Sequence, residues 1–147
     1  EYFFNLASEA SKRSNCSRRK IGAVIVKDYG IISTGYNGTA FKITNCFDGG
    51  CKRCASEAES KQNYDTCICI HAEDNAILIA AKKGRSIEGS SIYISMEPCL
   101  NCLNRLIQAG IVGINCLKTG FIKEYPQDIQ DAYWGLCKES GIKYITY

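Results

Sequence analysis

One histidine, one carboxylate and two cysteines carry the sharpest chemical signal in this 147-residue chain. His71 and Glu73 lie two residues apart, and Cys99 and Cys102 follow Pro98 with C-x-x-C spacing. One imidazole and two thiolates form a three-ligand set for Zn²⁺, which leaves the fourth tetrahedral position open for water. We therefore predict a catalytic zinc site with the ligands His71, Cys99 and Cys102. Glu73 is predicted to move protons without binding the metal.

Such a site suits a hydrolysis that releases an amine. The zinc ion would lower the pKa of water towards about 7, and Glu73 would take the proton. The resulting hydroxide would attack the ring carbon that carries the amino group. Glu73 would then deliver protons to the ring nitrogen and to the departing ammonia.

Two predicted helices position these ligands at their N-terminal ends. His71 opens a helix over residues 71–83, and Cys99 opens one over residues 99–109. The partial positive charge of a helix N-terminus lowers a thiol pKa and favours metal-binding thiolates. The alternative is a buried helical histidine with two core thiols. Because His71 is the only histidine, a catalytic system with a second histidine is excluded.

The chain has ten cysteines, and most of those outside the catalytic motif precede His71. Cys51 and Cys54 form a C-x-x-C knuckle, which is typical of half of a structural zinc site. Loose thiols in a reduced loop are the alternative. The candidate residues of this second group are Cys16, Cys46, Cys51, Cys54, Cys67 and Cys69.

Hydrophobic periodicity predicts the order α-β-β-α-β-α-β, followed by a last helix over 127–140 and a fifth strand over 142–146. A strand, helix and strand in one sheet imply a parallel crossover. We therefore expect one domain over residues 1–147, folded as a three-layer α/β/α sandwich with a five-stranded mixed sheet whose last two strands are parallel. Residues 28–30 should form a hairpin turn with Gly30 at positive φ. Residues 37–65 lack periodicity, and their cysteines favour ordering by metal.

Composition narrows the functional classes. A net charge of +3 is too small to indicate nucleic-acid binding, and no apolar run reaches the roughly 18 residues of a membrane span. Paired cysteines without a leader peptide indicate a reducing compartment. We expect the cytoplasm, with the nucleus possible, and not secretion. Because residue 1 is not Met, a short targeting segment stays open.

Several short motifs resemble one known family over most of the chain. They are Ser14-Asn15-Cys16, residues 20–26, Gly35-Tyr36-Asn37-Gly38, Asn45-Cys46, residues 71–76 and residues 108–111. With the element order and the parallel last strand, they resemble the deoxycytidylate (dCMP) deaminase branch of the cytidine/deoxycytidylate deaminase superfamily. The cysteine-rich stretches 44–54 and 66–70 are similar to the fungal type.

The resemblance implies an activity and an assembly. The activity is the zinc-dependent hydrolysis of dCMP to dUMP and ammonia, which supplies dUMP for thymidylate synthesis. The assembly is a homohexamer that dCTP activates and dTTP inhibits. In phage and bacterial relatives a second zinc lies beside the catalytic site. By resemblance this structural ion would be held by Cys16, Cys51, Cys54 and Cys69, with Cys67 as a substitute.

The resemblance also implies roles for residues outside the zinc motifs. Asn37 and Ala72 would contact the substrate, Asn37 through the sugar, although Asn37 also suits a plain turn before a glycine. Cations near the first strand could hold the phosphate or form a solvated basic turn; they are Arg18, Arg19 and Lys20. Effector contacts are expected at Tyr36, Gly38 and Lys82, although Lys82 also fits an exposed helix end.

Two features depart from the family pattern and keep other readings open. Glu97 before Pro98-Cys99 resembles tRNA adenosine and guanine deaminases. Residues 119–122 lack the tyrosine that relatives place over the substrate, and residues 123–134 do not follow the family pattern. A deaminase of dCTP or of nucleic acid is therefore one alternative. A catalytically silent zinc-binding interaction module is the other, although an intact Glu73 argues against it.

Overall fold

The central feature of the computed structural model, which describes residues 1–147, is a five-stranded mixed sheet of order β2-β1-β3-β4-β5. β1 pairs antiparallel with both β2 and β3, whereas β4 lies parallel to β3 and β5. This confirms the predicted sheet and its parallel last pair. The strands are β1 Gly22–Lys27, β2 Gly30–Tyr36, β3 Ser91–Ile94, β4 Gly113–Cys116 and β5 Lys143–Thr146.

Five α-helices surround this sheet, and none of them has the length and apolar character needed to cross a membrane. They are α1 Tyr2–Ser11, α2 Lys52–Ala55, α3 Ala72–Lys82, α4 Leu100–Gln108 and α5 Gln127–Ser140. The four-residue α2 was not predicted, because so short a helix leaves no periodicity to read. Short 3₁₀ turns occur at Cys46–Asp48, Tyr64–Thr66 and Ile122–Glu124.

The strands alternate their side chains between two helical layers. Ala23 and Ile25 of β1 belong to the main core with α3, α4 and α5, whereas Val24 and Val26 face α1. Successive strand residues point to opposite faces, so both faces of β1 are buried. The main core contains 16 buried residues, and it fixes the starts of α3 and α4 relative to the sheet.

One glycine sets how closely α3 approaches the sheet. A Cβ at Gly35 of β2 would lie 2.1 Å from the carbonyl oxygen of Ala72, at the first turn of α3. Only a residue without a side chain permits this approach. Gly35 thereby brings His71 and Glu73 down onto the sheet.

The β1–β2 hairpin corrects one prediction. Positive φ falls on Asp28 and Tyr29, at 49° and 62°, and not on Gly30, which pairs with Lys27 as the first residue of β2. A two-residue hairpin turn of type I′ has positive φ at both central positions. Because Lys27 and Gly30 form the closing pair, the central positions fall on Asp28 and Tyr29.

Candidate active site

The three predicted zinc ligands come together in space. His71 Nδ1 lies 3.6 Å from Cys99 Sγ and 3.3 Å from Cys102 Sγ, and the three ligand atoms lie within 4.8 Å of one another. With bond lengths of about 2.0 Å to nitrogen and 2.3 Å to sulfur, a tetrahedral ion spaces such ligands by about 3.5 Å. The residues therefore fit a single Zn²⁺ with one coordination position left open.

Helix starts hold these ligands as predicted. His71 is the N-cap of α3, and Cys99 is the N-cap of α4, where its sulfur accepts a hydrogen bond from the backbone N–H of Cys102 at 3.4 Å. Hydrogen bonding from the Cys102 thiol lowers the pKa of Cys99 to about 4, with burial opposing and His71 assisting. A thiolate is thus already favoured at this position, and a divalent cation needs to displace fewer protons.

Glu73 is the unligated carboxylate of the site. It is 3% exposed, and no other side chain donates a hydrogen bond or forms an ion pair with its carboxylate. Burial raises the pKa of Glu73 to about 7, with the neighbouring His71 opposing. A carboxyl group with a pKa near neutrality can both accept and donate a proton. The adjacent Asp74 differs, because Arg105 of α4 binds it at 2.7 Å.

A cavity of about 250 Å³ opens over this centre. His71, Glu73 and Cys99 line it on the helical side, and Phe121 and Met96 add apolar surface. Four cysteines line it as well: Cys16, which lies before β1, and Cys54, Cys67 and Cys69 of the loop that precedes α3. The cavity therefore has one wall from the folded core and one from the cysteine-rich loop.

Asn37 lies at the cavity and is 7% exposed. Its Oδ1 accepts hydrogen bonds from the Ser14 hydroxyl at 2.7 Å and from the Ile21 backbone N–H at 2.8 Å. Its Nδ2 donates to the Arg19 carbonyl at 2.8 Å, which leaves one N–H without a protein partner. The Asn37 side chain is therefore held so that its free N–H can donate to a ligand, which a residue with only a turn-forming role would not need.

The three predicted phosphate-binding cations fall into different environments. Arg18 donates hydrogen bonds to the carbonyl oxygens of Cys54, Ser56 and Ala58, so it clamps the loop. Arg19 contacts the Ser60 hydroxyl at 3.0 Å and lies over the Phe121 ring at 5.2 Å, at the edge of the cavity. Lys20 does not line this cavity, although it lines an adjacent one of about 500 Å³ together with Arg19. Arg19 is the cation best placed for a ligand.

Glu97 connects the zinc motif to the unusual segment after β4. Its Oε2 accepts a hydrogen bond from the buried Ile122 backbone N–H at 3.1 Å. This bond holds the Ile122–Glu124 turn and places Phe121 in the cavity wall, where Tyr125 packs edge-on at 5.2 Å. Phe121 therefore supplies an aromatic surface in the segment where the family tyrosine is missing.

The loop cysteines gather, but not as the predicted four. Cys16 belongs to a set with Cys46, Cys54 and Cys69. Cys51 belongs to a second set with Cys54, Cys67 and Cys69. Cys16 and Cys51 thus do not share a set, and Cys46, which the prediction left out, is 1% exposed within the cluster.

The remaining predicted residues lie away from the cavity lining. Ala72 is fully buried in the core, and the Tyr36 carbonyl accepts a hydrogen bond from Asn75 of α3. Gly38 pairs with Ile70 in an isolated bridge, where a Cβ would lie 2.5 Å from Asn15 Oδ1. Lys82 is exposed at the end of α3, with its Nζ 5.5 Å from the centre of the Phe41 ring.

Sequence reasoning missed other residues of the site. Ser14 orients Asn37, and Arg53, Ser60 and Tyr64 line the cavity from the cysteine-rich loop. Their positions depend on how that loop folds back, for which the sequence offers no periodic signal. The Ser14-Asn15-Cys16 motif was the one available pointer to Ser14.

Comparisons with known proteins agree with this geometry. The family model for the cytidine and deoxycytidylate deaminase zinc-binding region matches residues 1–118. Deoxycytidylate deaminase of Saccharomyces cerevisiae is 46% identical over 110 residues, which cover 75% of this chain and 34% of the relative. The chain thus spans about a third of the length of that relative, and the same share of its Schizosaccharomyces pombe counterpart.

Shorter relatives align over more of their own length. Deoxycytidylate deaminase of Mycobacterium phage D29 is 36% identical over 116 residues, covering 76% of this chain and 88% of the relative. The structure of dCMP deaminase from cyanophage S-TIM5 in complex with dCMP and dUMP superposes with a TM-score of 0.74 at 27% identity, covering 99% of this chain and 94% of that one. The motif-based prediction is confirmed: this chain belongs to the cytidine and deoxycytidylate deaminase family.

Proposed function

We propose that this chain hydrolyses dCMP to dUMP and ammonia. The observation that carries the proposal is the buried, unpaired carboxylate of Glu73 beside a three-ligand zinc set on one wall of a cavity. A silent zinc-binding module has no chemical need for such a carboxylate. The substrate is supported by relatives that are named deoxycytidylate deaminases and by a superposable enzyme that binds dCMP and dUMP.

Each residue of the centre has a separate task in this reaction. His71, Cys99 and Cys102 would hold Zn²⁺, which when bound supplies Lewis-acid chemistry and lowers the pKa of water. Glu73 accepts one proton from the attacking water and gives it to the pyrimidine N3; it then takes the second proton of that oxygen and gives it to the amino group, which leaves as ammonia. Burial of Glu73 keeps its protonated and ionised forms close in free energy, so it can act in both directions.

The cavity walls orient the nucleotide. The free N–H of Asn37 is available to a sugar oxygen, because its other polar groups are bound to protein. Phe121 offers apolar surface to the base, and Arg19 offers guanidinium N–H groups to the phosphate. A cavity of about 250 Å³ favours a single nucleotide over a polynucleotide strand.

A substrate panel tests the proposal directly. Ammonia release is measured with dCMP, dCTP, cytidine and a single-stranded cytosine oligonucleotide at equal concentrations. We expect dCMP to be the preferred substrate. Preferred turnover of dCTP or of the oligonucleotide would reassign the substrate, and no turnover of any of the four would support a silent zinc-binding module.

We also propose that the chain acts as a homo-oligomer, a hexamer by family resemblance, that responds to dCTP and dTTP. Exposed apolar residues on β2, on the loop after β2 and on α3 support an interface between copies, since Ile31, Phe41 and Leu78 are 42%, 84% and 54% exposed. Lys82 contacts Phe41 at this surface. Light scattering measures the oligomeric state with dCTP or dTTP present, and ammonia release at low dCMP measures the response to each nucleotide. A monomer with full activity that neither nucleotide changes would contradict the proposal.

A further inference from the structure

A second cluster, made of cysteine side chains alone, lies where the loop before α3 meets the segment before β1. No aliphatic or aromatic side chain belongs to it, and all of its cysteines are free thiols. It brings together parts of the chain from before β1 to just before α3. Its six members are Cys16, Cys46, Cys51, Cys54, Cys67 and Cys69.

The six sulfurs divide into two sets of four that overlap. Cys54 and Cys69 belong to both sets, Cys16 and Cys46 to the first alone, and Cys51 and Cys67 to the second alone. Within each set the sulfurs lie within 4.8 Å of one another. We propose that this cluster binds two zinc ions, with Cys54 and Cys69 as bridging thiolates and two terminal thiolates on each ion.

Sulfur spacing supports tetrahedral zinc. Cys67 Sγ lies 3.8 Å from both Cys51 Sγ and Cys54 Sγ, and Cys54 Sγ lies 3.9 Å from Cys69 Sγ. Zinc–sulfur bonds of about 2.3 Å give a tetrahedral edge of about 3.8 Å. A disulfide requires about 2.05 Å. A cubane iron–sulfur cluster binds each thiolate to a separate iron, which needs wider spacing.

Sharing of two thiolates explains why six cysteines gather in one cluster, four of them buried and Cys67 and Cys69 partly buried. A single tetrahedral ion uses four ligands and would leave two thiols of the same cluster without a metal. Two divalent ions use all six thiolates and leave a net charge of about −2. Backbone N–H groups also point at sulfur, as Ser17 N does towards Cys46 Sγ at 3.4 Å.

A buried arginine within the C-x-x-C knuckle supports this negative charge. Arg53 lies between Cys51 and Cys54 in the chain and is 7% exposed. Its guanidinium donates only to the carbonyl oxygens of Gln62 and Glu59 and lies 4.6 Å from the centre of the Tyr64 ring. Buried arginines are normally paired with negative charge, and no carboxylate contacts this one. An anionic metal–thiolate cluster would supply the missing counter-charge.

Besides the hydrogen bonds from Arg18 and the ion pair between Lys61 and Glu124, few contacts hold the surrounding loop. Between residues 37 and 70 the regular structure is limited to a four-residue helix and two 3₁₀ turns of three residues. The large apolar side chains of this loop face outward, with Phe41, Phe47 and Ile68 at least half exposed. The loop gathers its cysteines inside and exposes its large apolar side chains. Metal binding is therefore what keeps it ordered.

Metal counting on the full chain, purified under reducing conditions, tests the proposal. We expect about three zinc ions per chain by mass spectrometry, one at His71 and two in the cluster. Cys46→Ser and Cys67→Ser should each lose one ion, whereas Cys137→Ser, outside the cluster, should lose none. About two ions in the wild-type chain, or an unchanged count in either cluster variant, would overturn the proposal, as would stoichiometric iron.

Cadmium substitution gives a second readout that does not depend on a variant folding. Two ¹¹³Cd resonances of all-thiolate type, coupled to each other through shared sulfur, are expected beside that of the His71 site. One all-thiolate resonance, or two without mutual coupling, would contradict the bridging assignment. Both measurements need no substrate, so their result is independent of dCMP turnover.

Discussion

The two sulfur-rich sites of this protein are built on opposite physical principles. His71, Cys99 and Cys102 begin helices whose apolar faces are buried in a core of 16 residues. Five cysteines of the six-cysteine cluster lie in a loop that has no apolar core of its own, and Cys16 joins them from the segment before β1. In the first site the fold positions the metal ligands, and in the second the ligands must hold the fold.

This difference separates a reactive site from a structural one. A core-supported site can leave a coordination position open, because its geometry does not depend on the ion. A loop-supported site gains most when every ligand position is filled by protein. Glu73 lies in the core-supported site, and the cysteine cluster has no comparable unpaired carboxylate.

Complete metal removal should have the largest effect, because it should unfold the cysteine-rich loop and leave the core helices folded. Structural zinc contributes roughly 10–16 kcal/mol in zinc-finger peptides, so residues 37–70 should open in a strong chelator, while α1, α3, α4 and α5 stay folded. Limited proteolysis with circular dichroism measures this. Early cleavage in the core helices would contradict the contrast, and zinc re-addition with restored protection is the control.

Glu73→Gln should nearly abolish activity without disturbing either site. A loss of about 10²–10⁴-fold in kcat is expected, because the amide cannot accept the proton. Ammonia release gives the rate, and zinc content and melting temperature should match the wild-type protein. Glu139→Gln, at an exposed position on α5, is the matched control. Activity close to wild type in Glu73→Gln would refute the proton-transfer role.

Leu103→Ala tests the core side of the comparison. Leu103 is fully buried in α4 next to Cys102, and such truncations cost about 2–5 kcal/mol. Urea unfolding should show this loss, while the metal content of the folded protein stays unchanged. If the variant instead lost cluster zinc at full core stability, the two regions would not be separate.

Glu97→Ala should have a smaller effect that is confined to the cavity. The variant leaves the buried Ile122 N–H without an acceptor, at a cost of roughly 1–3 kcal/mol, and frees Phe121. We expect a higher KM for dCMP with little change in kcat. Steady-state kinetics checks this, with Glu97→Gln as the control because it retains an acceptor. A pure kcat effect would contradict a positioning role.

Sequence patterns predicted the regions that obey local rules. The predicted bounds of α5 agree with the structure, because Gly141 marks the end of that helix in the sequence. His71, Glu73, Cys99 and Cys102 were predictable because each lies at or beside a helix start. The prediction of positive φ at Gly30 in the hairpin turn was wrong, because Asp28 and Tyr29 adopt positive φ despite their side chains.

Membership of the cysteine cluster could not be predicted in the same way. C-x-x-C spacing pairs Cys51 with Cys54, but the structure assigns their other partners through the path of a 34-residue loop. Cys46 has no partner at a recognisable spacing, and its burial depends on Asn15 and Ser17 closing over it. Such contacts join distant segments, and no local period records them.

The cavity wall formed by Cys16, Cys54, Cys67 and Cys69 has a consequence for how the proposed activity would be acquired. The sheet and the main core contain no cysteine of the cluster, so without the ions a nucleotide would meet a pocket open on one side. Under the proposed assignments, catalytic activity requires that the loop has bound its metal. Cellular zinc supply would set the fraction of active molecules through the shape of the pocket as well as through its chemistry.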